Sequence, residues 1–335
     1  MARIGDVPYD LMKKPLVLLQ AGLACAVCSS GAAELHIGII GCDTSHTVAF
    51  TETWNNPQAK GHVAGAKVVA AFPGGSYDIP DSSNRLESIT TKLREQYGVR
   101  IYDSIEAMCR DVDAVCLESL DGRPKLEQIK PVLKARKPVY VDKPMAASLR
   151  DVIEIFKRAE AARVPIFSSS SLRFASNSLA ARGGAIGRVA YAETTGPCEI
   201  EPHHPDLFWY GVHGTESLFT VMGTGCKSVQ RRQTEQGKIE VVGNWGRGRQ
   251  GVFRESPKFE GKARGAKGEM AVGSWDGYVP LVEAITKFFA TGVAPVKPAE
   301  TVEIFAFMEA ADESKRLNGA PVSLKEMIRR AKAKR

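Results

Sequence analysis

Across the first half of the chain, short apolar runs alternate with helix-length segments, and this alternation constrains the fold more than any other feature. Residues 35–41, 66–72, 114–117 and 138–141 are runs rich in Val, Ile and Ala, and a shorter one follows at 100–102. Between them, 47–55, 85–97, 104–110 and 125–135 have helical composition. Strands that are apolar on both sides need cover on both faces, and parallel strands need crossovers of a dozen or more residues, which helices supply. The pattern predicts a Rossmann-like, doubly wound parallel sheet that opens strand, turn, helix.

After Asp142-Lys143-Pro144 a helix over 149–162 leads to a strand at 165–168. From Gly187 the texture changes. Residues 188–195, 228–234, 238–243 and 251–255 read as strands of a large open, mostly antiparallel sheet, with helices at 281–290 and 299–317 closing an α+β domain. At 335 residues the chain is long enough for two domains, drawn here as 34–150 and 151–335, packing as one body.

Residues 1–33 stand apart. Lys13-Lys14 precede an apolar stretch from Pro15 to Cys28, and small residues follow at 29–33. That is the layout of a secretory signal peptide, so the protein is expected to be exported, periplasmic or extracellular. Met12 could serve as the start, and Cys25 could carry a lipid. No other stretch reaches the ~18 to 20 apolar residues of a membrane span, so the mature protein is expected not to cross a bilayer. The formal charge of +7 comes partly from the run at 325–335, which reads as a solvated helix end. Without a basic patch interleaved with aromatics, nucleic acid is not an expected partner; an anionic or neutral small molecule is. Cys42, Cys109, Cys116, Cys198 and Cys226 show neither metal-like spacing nor a disulfide framework.

Several motifs, in order, resemble the glucose-fructose oxidoreductase, inositol dehydrogenase and MocA family, Gfo/Idh/MocA, over nearly the whole mature chain. IleGlyIleIleGly at 37–41 resembles its first strand, and Asp113-Ala114-Val115 the strand before its cofactor-facing loop, which would bring in Ser119. ValTyrValAspLysPro at 139–144 resembles its GluLysPro motif with Asp for Glu. SerLeuArgPhe at 171–174 resembles the opening of the second domain, and GlyValHisGlyThrGlu at 211–216 the substrate-site helix. The resemblance implies an oxidoreductase that uses NAD or NADP to act on the CHOH group of a sugar, polyol or related carbohydrate, and a homo-oligomer associated through its open sheet. It casts Lys143 as the central polar group, His213 as the candidate base, and Asp142 and Gly41 as cofactor contacts. A base is needed because carbonyl character develops only as the O–H proton leaves. A surface lysine and an ordinary helix histidine are the plainer readings of these two.

Three departures accompany the resemblance. The fingerprint GxGxxG uses its second glycine for close approach of the pyrophosphate. Here the run is Gly41-Cys42-Asp43-Thr44-Ser45-His46, with a carboxylate at that position; Asp43, Thr44 or Ser45 could instead cap the next helix. After the second strand, Pro73-Gly74-Gly75-Ser76 lacks the acid that holds ribose hydroxyls in NAD enzymes, and Ser76 with Arg85 could take a 2′-phosphate. Four residues before His213 stands Trp209 rather than an acid. Tyr210 could move a proton in its place, Glu216 could orient the His213 imidazole, and Trp209 could stack on a sugar, although a core aromatic is the commoner use. His203 and His204, with Arg173, complete the expected substrate loop. A metal held by His203, His204 and His213 is a second reading, as is an exported lyase, isomerase, hydrolase or binding protein on the same scaffold.

Overall fold

A computed structural model describes residues 34–333. The expected signal segment lies outside the described residues. Six parallel strands form the first sheet: β1 (Leu35–Ile40), β2 (Ala66–Phe72), β3 (Arg100–Ile101), β4 (Ala114–Leu117), β5 (Val139–Asp142) and β6 (Ile166–Ser169), in the order β3-β2-β1-β4-β5-β6. The crossovers carry α1 (Ser45–Asn55), α2 (Pro80–Tyr97), α3 (Ile105–Met108), α4 (Lys125–Lys134) and α5 (Leu149–Ala162). β4, β5 and β6 are buried at every residue, as expected of strands covered on both faces. The order reverses direction at β1 and β4, so the crevice above their carboxyl ends is where a doubly wound sheet takes its ligand.

The sheet does not stop at 150. β6 pairs with β5 in parallel from Val139↔Ile166 to Asp142↔Ser169, which carries the first sheet past the boundary drawn from sequence. A 3₁₀ turn (Ser171–Phe174) and α6 (Ser176–Arg182) then lead to the second sheet: β7 (Val189–Gly196), β8 (Ser228–Gln233), β9 (Ile239–Gly246), β10 (Arg249–Glu255), β11 (Gly261–Gly265), β12 (Gly268–Ala271) and β13 (Val322–Ser323). Its order is β12-β11-β7-β10-β9-β8-β13, antiparallel except where β10 runs beside β7. On it lie α7 (Gly211–Met222) and α9 (Pro298–Arg316); α8 (Val279–Thr291) and α10 (Leu324–Ala333) complete the chain.

Every residue of α7 is buried, the condition of a helix with cover all round. It can sit so close because position 214 is glycine: a Cβ there would meet the Phe253 ring at 2.4 Å. The chain from residue 34 onward forms one compact unit. Helix α8 fastens it by returning to the first sheet, with Phe288 edge-on to Phe167 at 4.9 Å and Trp54 Nε1 donating to Thr286 Oγ1 at 2.8 Å. All five described cysteines are free and buried. No described helix is long and apolar enough to cross a membrane.

Candidate active site

Gly41 ends β1 with φ +98°, and a Cβ there would lie 2.3 Å from the Ser119 amide nitrogen, so the loops after β1 and β4 touch backbone to backbone. Thr44 caps α1, accepting from the His46 amide, and leaves Ser45 exposed on the first turn. Asp43 is not a cap. It is fully buried, accepting from Ser82 Oγ at 2.6 Å and from the Leu120 amide at 3.1 Å. One carboxylate thus joins the start of α2 to the loop after β4. Burial pushes the Asp43 carboxyl up, against these two donors.

The same two loops meet elsewhere. Ser76 Oγ donates to Asp121 at 2.6 Å, and Ile79 is buried with Leu120 and Trp209. A phosphate could not be held by Ser76 in this arrangement, because its hydroxyl already faces an anion; the expected 2′-phosphate contact is not formed. Ser119 Oγ likewise donates to Gln128. Trp209 is 5% exposed and packs on His204 with ring centroids 5.1 Å apart, so it is a core aromatic and not a sugar platform. The His204 side chain is fully buried, Nδ1 2.6 Å from Glu201 and Nε2 3.0 Å from the Gly122 amide, while His203 faces Glu201 and Asp78. His213 has other partners, so the three histidines do not converge, and no metal-ready group of His, Cys, Asp and Glu exists among the described residues.

At the end of β5 the picture changes. Lys143 is 7% exposed, its ammonium 5.7 Å from the Tyr210 ring centroid, and it makes no hydrogen bond or ion pair among the described residues. Burial lowers its pKa, with Asp142 opposing. Lys125, fully buried at the start of α4, donates to the Asp142 carbonyl at 2.6 Å and to the Pro144 carbonyl at 2.9 Å. Lys125 was not expected from sequence, where a lone lysine opening a helix reads as a surface residue. Asp142 accepts from Tyr140 OH at 2.8 Å and lies 2.6 Å from His46 Nδ1. Burial alone would raise the Asp142 carboxyl, but the His46 contact, aided by Lys143 and Lys125, holds it well below the usual range.

His213 rests its Nδ1 2.7 Å from Ser170 Oγ, and its ring is edge-on to Tyr210 at 5.5 Å. Burial, then the charge of Lys143, drives its pKa well below the ordinary value, so it is neutral. Glu216 does not orient it. Its carboxylate pairs with Arg173 Nε and accepts from Ser169, and Arg173 also donates to Glu300 at 2.8 Å. Arg173 is therefore a buried tie between the 3₁₀ turn, α7 and α9 rather than a substrate contact.

Among the described residues the buried polar side-chain atoms without a partner are Arg173 Nη2, Ser217 Oγ and two at the end of β4. Both Glu118 carboxyl oxygens are buried without a partner at the end of β4, their acid pushed well up by burial and then by Asp142. Lys143 Nζ and the Nε2 atoms of His46 and His213 also lack partners among the described residues. Tyr278, edge-on to His46 at 5.0 Å, leads outward to Trp275, which is 51% exposed. A surface groove of about 1690 Å³ between α5, α9 and α10 is lined by none of these groups.

Polar groups thus gather at the topological switch point, where a doubly wound sheet takes its ligand. Residues 35–169 match the sequence model described as "Oxidoreductase family, NAD-binding Rossmann fold". Solved structures share the fold. A probable dehydrogenase from Thermotoga maritima gives a TM-score of 0.70 at 19% identity over 88% of this chain and 100% of that one. Apo scyllo-inositol dehydrogenase from Lactobacillus casei gives 0.69 at 14%, over 88% and 99%. An oxidoreductase from Agrobacterium radiobacter in complex with NAD+, L-tartaric acid and magnesium gives 0.65 at 17%, over 88% and 100%. No curated protein matches the sequence.

The matched model describes an NAD-binding fold. The residues present fit the cofactor's reactive end: unpartnered donors and acceptors surround Lys143. As the loops stand they oppose its adenosine end, because Asp43 and Ser76 hold together the two loops between which that half passes.

Proposed function

We propose that the protein oxidises the CHOH group of a polyol, cyclitol or sugar. What carries this reading is the Lys143 ammonium, buried, unpartnered and flanked by neutral His213. A nicotinamide dinucleotide, when bound, supplies a hydride acceptor. The chain's own residues do the rest. Lys143 donates to the carbinol oxygen and favours its alkoxide character as the carbonyl forms. The free Nε2 of His213 binds a neighbouring hydroxyl. Trp275 and Tyr278 offer an aromatic wall at the entrance, suited to the apolar face of a ring. The layout of residues 1–33 supports action outside the cytoplasm.

The reading is tested by incubating the protein with NAD or NADP and a panel of cyclitols, pyranoses and hydroxy acids, following reduced nicotinamide. Turnover on a polyhydroxylated ring, lost by about a thousandfold or more in Lys143→Met at unchanged melting temperature, is the expected result. No turnover on any carbinol, or full activity in Lys143→Met, would overturn it.

A further inference from the structure

His46 occupies the third glycine position of the dinucleotide fingerprint, and Asp142 the glutamate position of the GluLysPro motif. These departures lie 96 residues apart in sequence, yet their side chains meet at 2.6 Å. An acid one methylene shorter leaves room for an imidazole where the family has no side chain, and the two changes form one buried pair, 6% and 1% exposed. With Nδ1 on the carboxylate, Nε2 points away from Asp142. The ring is fixed by Phe50, stacked at 5.5 Å, and by Tyr278.

We propose that His46, oriented by Asp142, is the group that takes the carbinol proton. This rests on the oxidoreductase reading above. The step balances: the C–H bond breaks and its hydrogen leaves with both electrons for the oxidised dinucleotide, the O–H proton passes to His46 Nε2, and the carbinol becomes a carbonyl. Asp142 is a positioning residue and the counter-ion of the imidazolium that forms. The groups facing His46 favour this over His213. His46 has an anion at 2.6 Å, with Tyr140 hydrogen-bonded behind it, against Lys143 and His213 on one side and Tyr278 on the other. His213 has only the Ser170 hydroxyl, and burial and Lys143 both oppose its taking a proton.

The test compares His46→Asn with wild type. Asparagine keeps a donor near the Nδ1 position and so the contact with Asp142, but has no base. Expected are a fall in kcat of roughly a hundredfold to ten-thousandfold and little change in KM. Independently, ¹⁵N shifts of the cofactor-free protein at neutral pH are expected to show His46 protonated on Nδ1 and bare on Nε2. The inference falls if His46→Asn keeps the wild-type rate, or if the proton sits on Nε2. Wild type without turnover on any carbinol would instead remove the oxidoreductase reading, and this inference with it.

Discussion

Lys125 Nζ lies 2.6 Å from the Asp142 carbonyl oxygen and 2.9 Å from that of Pro144, so one buried ammonium grips the backbone on both sides of Lys143. Burial lowers the Lys125 pKa to about 8 from 10.5, with Asp142 opposing. The folded state therefore binds fewer protons than the unfolded one between these values, and stability rises with pH across that window. Below about 8 the full penalty of the buried charge is present. Urea unfolding from pH 7 to 10.5 should show wild type gaining stability relative to Lys125→Met, on top of the fall that the raised thiol pKa values impose on both proteins. At neutral pH that variant leaves two carbonyls unpaired but relieves a buried charge, so its stability should change less than its activity, read as a fall in kcat from the loosened Lys143 turn.

The Asp43 carboxylate ties the start of α2 to the loop after β4, across the path expected for a dinucleotide's adenosine half. A site populated mostly in a closed form binds its ligand more weakly by the fraction that is open. Asp43→Gly restores the fingerprint glycine and frees the Leu120 amide. Titration calorimetry with NAD should show affinity rising by about tenfold, roughly 1.4 kcal/mol. An unchanged or weaker affinity would show that this carboxylate is not what resists the adenosine half.

The two tryptophans near the site should behave oppositely. Trp209 is buried among Ile79 and Leu120, so Trp209→Ala should cost about 3 to 5 kcal/mol of stability. Trp275 is half exposed and edge-on to Tyr278. Trp275→Ala should leave the melting temperature within a degree or two while raising KM for a ring substrate by about tenfold, in keeping with loss of one aromatic contact.

Glu216→Ala leaves the Arg173 guanidinium buried with Glu300 alone. Removing one partner from a buried ion network costs about 3 to 5 kcal/mol. Thermal unfolding should show that loss, while any variant protein that folds keeps the pH profile of wild type. A changed profile with intact stability would return Glu216 to the catalytic machinery.

Where local signals were strong, the sequence was legible. Residues 66–72 and 114–117 form strands over the same spans read from their apolar runs, and 149–162 forms its helix between the Ser148 cap and Arg163 in left-handed conformation. Helix α2 begins five residues earlier than expected, at Pro80 rather than Arg85, because a proline that signals a turn also suits the first helical position. The site was legible only as a set of residue types. Glu216 sits within a helical turn of His213, which suggested a pair, but across the chain Arg173 claims it. The His46 to Asp142 contact joins residues 96 apart in sequence, at the ends of β1 and β5 with β4 between them, and Lys125 reaches Pro144 across the neighbouring β4 and β5, so no periodicity could reveal either. Trp275 lies in a loop between Ser274 and Asp276, where no pattern distinguishes a ligand contact from a surface residue.

The buried thiols bear on how such a chain matures. Burial pushes Cys42 and Cys198 up to about 12 and Cys109 to about 11, and Cys116 and Cys226 go up as well. Thiols held in that state are poor nucleophiles and poor partners for exchange. The architecture from β1 to α10 thus takes shape without an oxidant or an isomerase to sort cross-links. Once formed, it should be indifferent to the redox poise of whichever compartment it works in.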